Sequence, residues 1–221
     1  MCFSATASFA LSAALMPAGV YAMARARRVQ PKWLAFAAFP VAFSIQQGFE
    51  GLVWLGLNGG HDELVAYASR GFLFFSHFFW LAWVPFAVWM IEPSGMRRRL
   101  AAGLAALGFF YGLSIFLPSF LLRDWLYMEV INRSLEYRTT LIYEDTVNRV
   151  ALRLFYAAIV VSALFVSSDR RIQFFGLLVL ASLALTYAFF AYAFISVWCF
   201  FAAILSAYLT VIIARDARAP A

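Results

Sequence analysis

Repeated runs of roughly 20 apolar residues, separated by short charged connectors, restrict this chain to a membrane fold before any single residue is weighed. A helix rises about 1.5 Å per residue, so about 20 residues cross a hydrocarbon core of about 30 Å. Five such runs occupy residues 3–23, 33–57, 71–91, 100–120 and 150–167. A further apolar stretch is too long for one crossing. It predicts a fold-back near Tyr187 to Ala193, with spans at 172–189 and 193–214. No glycine or proline marks that turn, and one long tilted helix is the alternative. Composition excludes a soluble globule. The 221 residues are 65% hydrophobic and only 13% charged, where soluble domains carry roughly a quarter charged residues.

Charge placement sets the orientation. One group of connectors, with the C-terminal tail, holds Arg25, Arg27, Arg28, Lys32, Arg97, Arg98, Arg99, Arg170, Arg171, Arg215 and Arg218, against Glu92, Asp169 and Asp216. The other group holds Arg70, Arg123, Arg133, Arg138, Arg149 and Arg153. Asp62, Glu63, Asp124, Glu129, Glu136, Glu144 and Asp145 offset them. Basic loops stay in the cytoplasm. The expectation is an all-α membrane protein, a seven-transmembrane-helix bundle with its N-terminus outside and its C-terminus cytoplasmic. Of the two divisions of the last stretch, only the seven-span count puts the Arg215 and Arg218 tail with the other basic connectors. No basic stretch precedes the first apolar run and no convincing cleavage site follows it, so that run reads as a retained helix. The basic balance is topological, and no aromatic-interleaved basic groove suggests nucleic acid.

Residues 121–149 form the one sizeable segment outside the apolar runs. There Leu135, Tyr137, Thr139, Leu141 and Tyr143 alternate with Glu136, Arg138, Thr140 and Ile142, which predicts a short hairpin capping the outer face between spans four and five. Asn132-Arg133-Ser134 also matches a glycosylation acceptor, a three-residue pattern of low specificity. With no internal repeat or linker, residues 1–221 read as one integral membrane domain.

Polar residues inside apolar runs mark candidate sites. Glu50 lies seven residues before the outer end of span two, roughly 10 Å deep. Gln46, Glu50 and Trp54 share one helical face, with Gln47 beside them. Such a stripe either glues helices together or binds a ligand, an ion or a reactant. Cys2, His77, Trp198 and Cys199 are expected at similar depth. Ser4, Ser8 and Ser12 on span one, and Ser196, Cys199, Ala203, Ser206 and Thr210 on span seven, read as close-packing stripes. Cys2, Glu50, His77 and Cys199 together form a candidate metal set, although no paired ligand motif is present. Cys2 and Cys199 could alternatively be a disulfide or two free thiols. His61 is expected in solvent. Arg153, one turn inside span five, either snorkels to the interface or pairs with Glu50.

Three stretches carry a family resemblance. They are the opening Met1-Cys2-Phe3-Ser4-Ala5-Thr6-Ala7-Ser8, the run Gln46-Gln47-x-x-Glu50-x-x-Val53-Trp54-x-Gly56-Leu57, and Val197-Trp198-Cys199-Phe200-Phe201-Ala202-Ala203. The chain resembles a family of bacterial membrane proteins of unknown function whose members open with this signature. The resemblance spans most of the chain and implies a multi-pass protein of the bacterial cytoplasmic membrane. In that family a histidine often stands where Gln46 stands here, and none matches His77, which argues against a metal. The resemblance brings no reaction and no cofactor.

The expected ligand-binding residues are Cys2, Ser4, Gln46, Gln47, Glu50, Trp54, Trp198 and Cys199. They would line an outward-facing pocket that binds or transports a small molecule or lipid. A membrane-embedded, metal-dependent hydrolase is a second reading, weakened by the scarcity of histidine. A third is an accessory subunit that docks on a membrane-protein partner through the aromatic surface of span three.

Overall fold

A computed structural model describes residues 4–122, 125–132, 134–140 and 147–216. The helices are α1 (Ala5–Val29), α2 (Leu34–Ala37), α3 (Phe39–Gly59), α4 (Asp62–Leu73), α5 (Trp80–Ile91), α6 (Met96–Phe116), α7 (Pro118–Leu121), α8 (Arg149–Val166), α9 (Arg170–Phe190) and α10 (Phe194–Asp216). Strands β1 (Leu126–Ile131) and β2 (Ser134–Thr139) lie between α7 and α8. Five stretches among the described residues are long and apolar enough to cross a membrane: Ala5–Val29, Asp62–Ile91, Met96–Leu121, Arg149–Val166 and Arg170–Arg215.

The last stretch is bent double. A single 3-10 turn, Ala191–Ala193, separates α9 from α10. Phe174 and Phe175, near the start of α9, touch Tyr208 near the end of α10. Only antiparallel helices bring those rings together. The fold-back lies at the end of the expected window, and the backbone of Phe190 (φ −136°, ψ 31°) makes the break without glycine or proline.

Helix limits depart from the apolar runs in a consistent way. The third run was expected to begin at residue 71, but its helix begins at Asp62. Asp62 and Glu63 occupy the first turn of α4, where the helix dipole favours carboxylates. The first helix likewise runs on through Arg25, Arg27 and Arg28 to Val29. Apolar composition marks where lipid could lie, whereas capping and dipole chemistry mark where a helix ends.

The basic connectors meet at one end of the molecule. Arg97 donates to the Ser167 carbonyl, and Glu92 accepts from the Ser167 and Ser168 hydroxyls and the Ser168 amide. Arg171 lies over the Trp33 ring. Asp169 caps α9. Its partial burial favours the neutral carboxyl, but hydrogen bonds and charge from Arg171 outweigh that and hold the group below the usual carboxylate range.

The opposite end carries the hairpin. Strands β1 and β2 pair antiparallel, with Ile131 facing Ser134 across a two-residue loop. Asn132 in that loop takes a positive φ of 48°, a conformation that asparagine tolerates and tight hairpin turns require. Leu135, Tyr137 and Thr139 point inward and Arg138 outward, as the alternation predicted. Beyond Thr140 the expected alternation through Leu141 to Tyr143 lies outside the described residues. Strand β1 was not foreseen, because Leu126–Ile131 lacks a period-2 pattern.

Helix α1 packs along α3, and both touch α10. Ser12 donates to the Ser44 carbonyl at 2.8 Å, and Ser44 donates back to the Ser12 carbonyl at 2.7 Å. Helices α5 and α6 approach still more closely. A Cβ on Gly108 would lie 2.0 Å from the Leu81 carbonyl oxygen, and backbone cannot swing aside. Gly108→Ala is therefore expected to destabilise the protein by about 1–3 kcal/mol. Gly103→Ala, with nothing within 4 Å of its Cβ, should stabilise by about 0.5–1 kcal/mol. Unfolding of the two variants in detergent checks this contrast.

Candidate functional site

Helix α3 presents the polar stripe to the protein interior. Gln46, Gln47 and Glu50 are fully buried and Trp54 nearly so. Trp80 on α5 donates its indole N–H to Gln46 Oε1 at 2.7 Å, and its ring stacks on Phe43 at 3.9 Å. Ser196 on α10 donates to Glu50 Oε1 at 2.5 Å. The stripe thus ties α3 to two helices distant in sequence. Several buried polar atoms beside these bonds have no hydrogen-bond partner among the described residues. They include both side-chain ends of Gln47 and the indole nitrogens of Trp54 and Trp198.

Cys199 lies close to Gln46 and to Tyr156. It is buried and its thiol is free. Together with Trp198 it forms part of the wall of a cavity of about 90 Å³ under the hairpin. The segment between α4 and α5 contributes another wall. Residues Phe74–Phe79 form a π-helical turn in which the Trp80 amide reaches back to the Phe75 carbonyl. Such turns displace side chains from the α-helical spacing and recur at functional sites. Here the turn carries Ser76 and His77 to the cavity. His77 Nδ1 is 3.0 Å from the Ser76 hydroxyl, and Nε2 is 3.4 Å from the Thr139 hydroxyl of β2. A histidine on a helix and a strand of the cap are thereby joined.

The remaining walls come from residues that sequence reading did not assign to a site. Tyr137 and Thr139 descend from β2, Tyr111 from α6, and Arg149, Arg153 and Tyr156 from α8. A signal for the last three was available: positions 149, 153 and 156 are spaced to share one helical face. Arg149 donates to the Thr139 carbonyl at 3.1 Å. Arg153 does not reach Glu50; its guanidinium lies 5.4 Å from the centre of the Phe194 ring.

Of the residues expected at one site, the structure brings His77, Trp198 and Cys199 to this cavity. Gln46 and Glu50 stand behind it, bonded to Trp80 and Ser196. Trp54 joins Cys199, Trp125, Leu135 and Tyr137 in an apolar cluster beneath the hairpin. Ser4 is exposed and caps α1, accepting from the Ala7 amide at 3.2 Å. Cys2 lies outside the described residues. Among those described, no three His, Cys, Asp or Glu side chains converge as metal ligands, and His77, Glu50 and Cys199 have the separate neighbours given above. His61 is exposed at the start of α4.

These elements define an all-α protein with helices long and apolar enough to cross a membrane several times. The chain belongs to the DUF6629 family, a family of unknown function, whose family model matches residues 1–221. No curated protein and no solved structure matches the chain.

The bond between Gln46 and Trp80 can be weighed directly. Gln46→Leu, Trp80→Phe and the double variant form a cycle. A coupling of about 0.6 kcal/mol, and at most about 1.7 kcal/mol, is expected, the average and the maximum for interhelical hydrogen bonds in a membrane protein. Chemical unfolding in detergent measures it, and additive single effects would mean that the contact contributes nothing.

Proposed function

We propose that this chain is a multi-pass protein of the bacterial cytoplasmic membrane that binds or transports a small molecule or lipid through a pocket at its outer end. Seven crossings are proposed. The folded stretch Arg170–Arg215 supplies two of them, and the α2–α3 segment, the apolar run at 33–57, adds one to the five stretches named above. That segment is less apolar than the others because it carries Gln46, Gln47 and Glu50, which face the protein rather than lipid. The meeting of the basic connectors at the end opposite the hairpin supports an outward-facing hairpin.

The observation that carries the functional reading is the cavity under the hairpin. It combines aromatic and aliphatic walls with a few convergent polar groups: His77, Thr139, Tyr156, Arg149 and Arg153. Ligand sites have this make-up. Its volume exceeds the roughly 10–15 Å³ that one water needs. A hydrolase would need Ser76, 3.0 Å from His77 Nδ1, or a bound metal to act as its reacting group, and binding asks less of the residues present.

Native mass spectrometry of the full chain, extracted from its own membranes in mild detergent, tests the reading. The expected spectrum shows a bound small molecule that Thr139→Trp, which fills the cavity, removes without lowering the melting temperature. A chain that flies free of any adduct under the mildest conditions, or an adduct unaffected by Thr139→Trp, would contradict it.

A further inference from the structure

Arg153 lies on two cavities at once. One is the cavity beneath the hairpin, apolar in most of its wall and carrying two guanidinium groups. The other is an apolar groove of about 320 Å³ between α8 and α9, walled by Leu154, Ala157, Leu180, Leu183 and Tyr187. Arg153 and Phe194 are shared by both. The groove is open at its side, since Leu154 and Tyr187 are exposed.

Charge complementarity names the occupant. Two guanidinium groups, Arg149 and Arg153, wall the cavity beneath the hairpin, and among the described residues no carboxylate does. The acidic neighbour that acts on Arg153 is Glu136, and Glu136 already accepts from Nε and Nη2 of Arg138 at 2.9 and 3.0 Å. Among the described residues Arg153 makes no hydrogen bond or ion pair; its one close partner is the face of Phe194. A half-buried guanidinium held this way is worth more to an incoming anion than an exposed one, because little water competes for it. A snorkelling arginine would account for its depth. It would not account for the second arginine one turn away, the cavity on one side and an acyl-sized groove on the other.

We infer that the pocket takes a single-chain anionic amphiphile, with its carboxylate or phosphate head at Arg153 in the cavity and its hydrocarbon chain in the α8–α9 groove. The inference rests on the pocket reading above and adds the class of ligand. His77, Tyr111 and Tyr156 then stand around the head as further polar partners, and Arg149 adds attraction without direct contact.

The test uses the full chain in a nonionic detergent with three probes: a fluorescent long-chain fatty acid, its methyl ester and a lysophosphatidic acid of equal chain length. Either acid should bind at least about 10-fold tighter than the ester, the scale of one charge-assisted hydrogen-bond pair. Arg153→Gln should erase most of that preference while leaving the melting temperature and ester binding in place. Leu183→Trp, which blocks the groove, should weaken acid and ester alike. The stronger of the two acids identifies the head group. Equal binding of acid and ester, or a preference that survives Arg153→Gln, overturns the inference. If no probe binds although the protein carries its own adduct from the membrane, the ligand class is wrong and the pocket stands. Absence of that adduct removes the pocket reading itself.

Discussion

Hydrocarbon offers no hydrogen bonds, so a helix that carries Gln46, Gln47 and Glu50 has to turn that face toward protein. The rest of the arrangement follows from this constraint. Trp80 answers Gln46 and Ser196 answers Glu50, which fixes α3 against α5 and α10. Ser12 and Ser44 lock α1 against the other side of α3 through a reciprocal pair of hydroxyl-to-carbonyl bonds. Each contact alone contributes little; interhelical hydrogen bonds of this kind average near 0.6 kcal/mol. Their value is positional. They leave Trp198 and Cys199 one turn along α10, at the wall of the cavity.

The cap completes that cavity from the other direction. A two-stranded hairpin is marginal alone, and here its inward residues supply the missing support. Tyr137 stacks on Phe72 at 5.0 Å, and Trp125 meets both Phe116 and His77 edge-on. The π-helical turn that widens the chain around His77 is what lets the histidine reach Thr139. The proposed binding cavity lies where a π-helical turn, a small sheet and the end of a helix hairpin converge.

Much of this was legible in the residues. Apolar runs located the helices, and the alternation of charge located the two ends. The period of Gln46, Glu50 and Trp54 correctly marked an inward face. What sequence could not supply was which side chains answered that face: Trp80 reads as one aromatic among many, and Ser196 as one small residue in a packing stripe. The cavity was displaced from the expected stripe for the same reason. Bonds to Trp80 and Ser196 occupy Gln46 and Glu50, and open space remains one layer outward, against Arg153, Tyr156 and His77. Arg149 entered only as a topology signal, and Arg153 was read as a snorkelling residue or a partner for Glu50, because basic residues near the end of an apolar run serve first in those roles. Their shared helical face becomes informative only when the opposing wall is known.

An experimental structure in lipid nanodiscs, at a resolution that separates side chains from lipid, tests the central claim most directly. Glu50 should lie within hydrogen-bonding distance of Ser196 and Gln46 on the Trp80 indole, with no acyl-chain density along that face of α3. Lipid chains packed against Gln46 and Glu50, or α9 and α10 continuing as one unbroken helix, would contradict it.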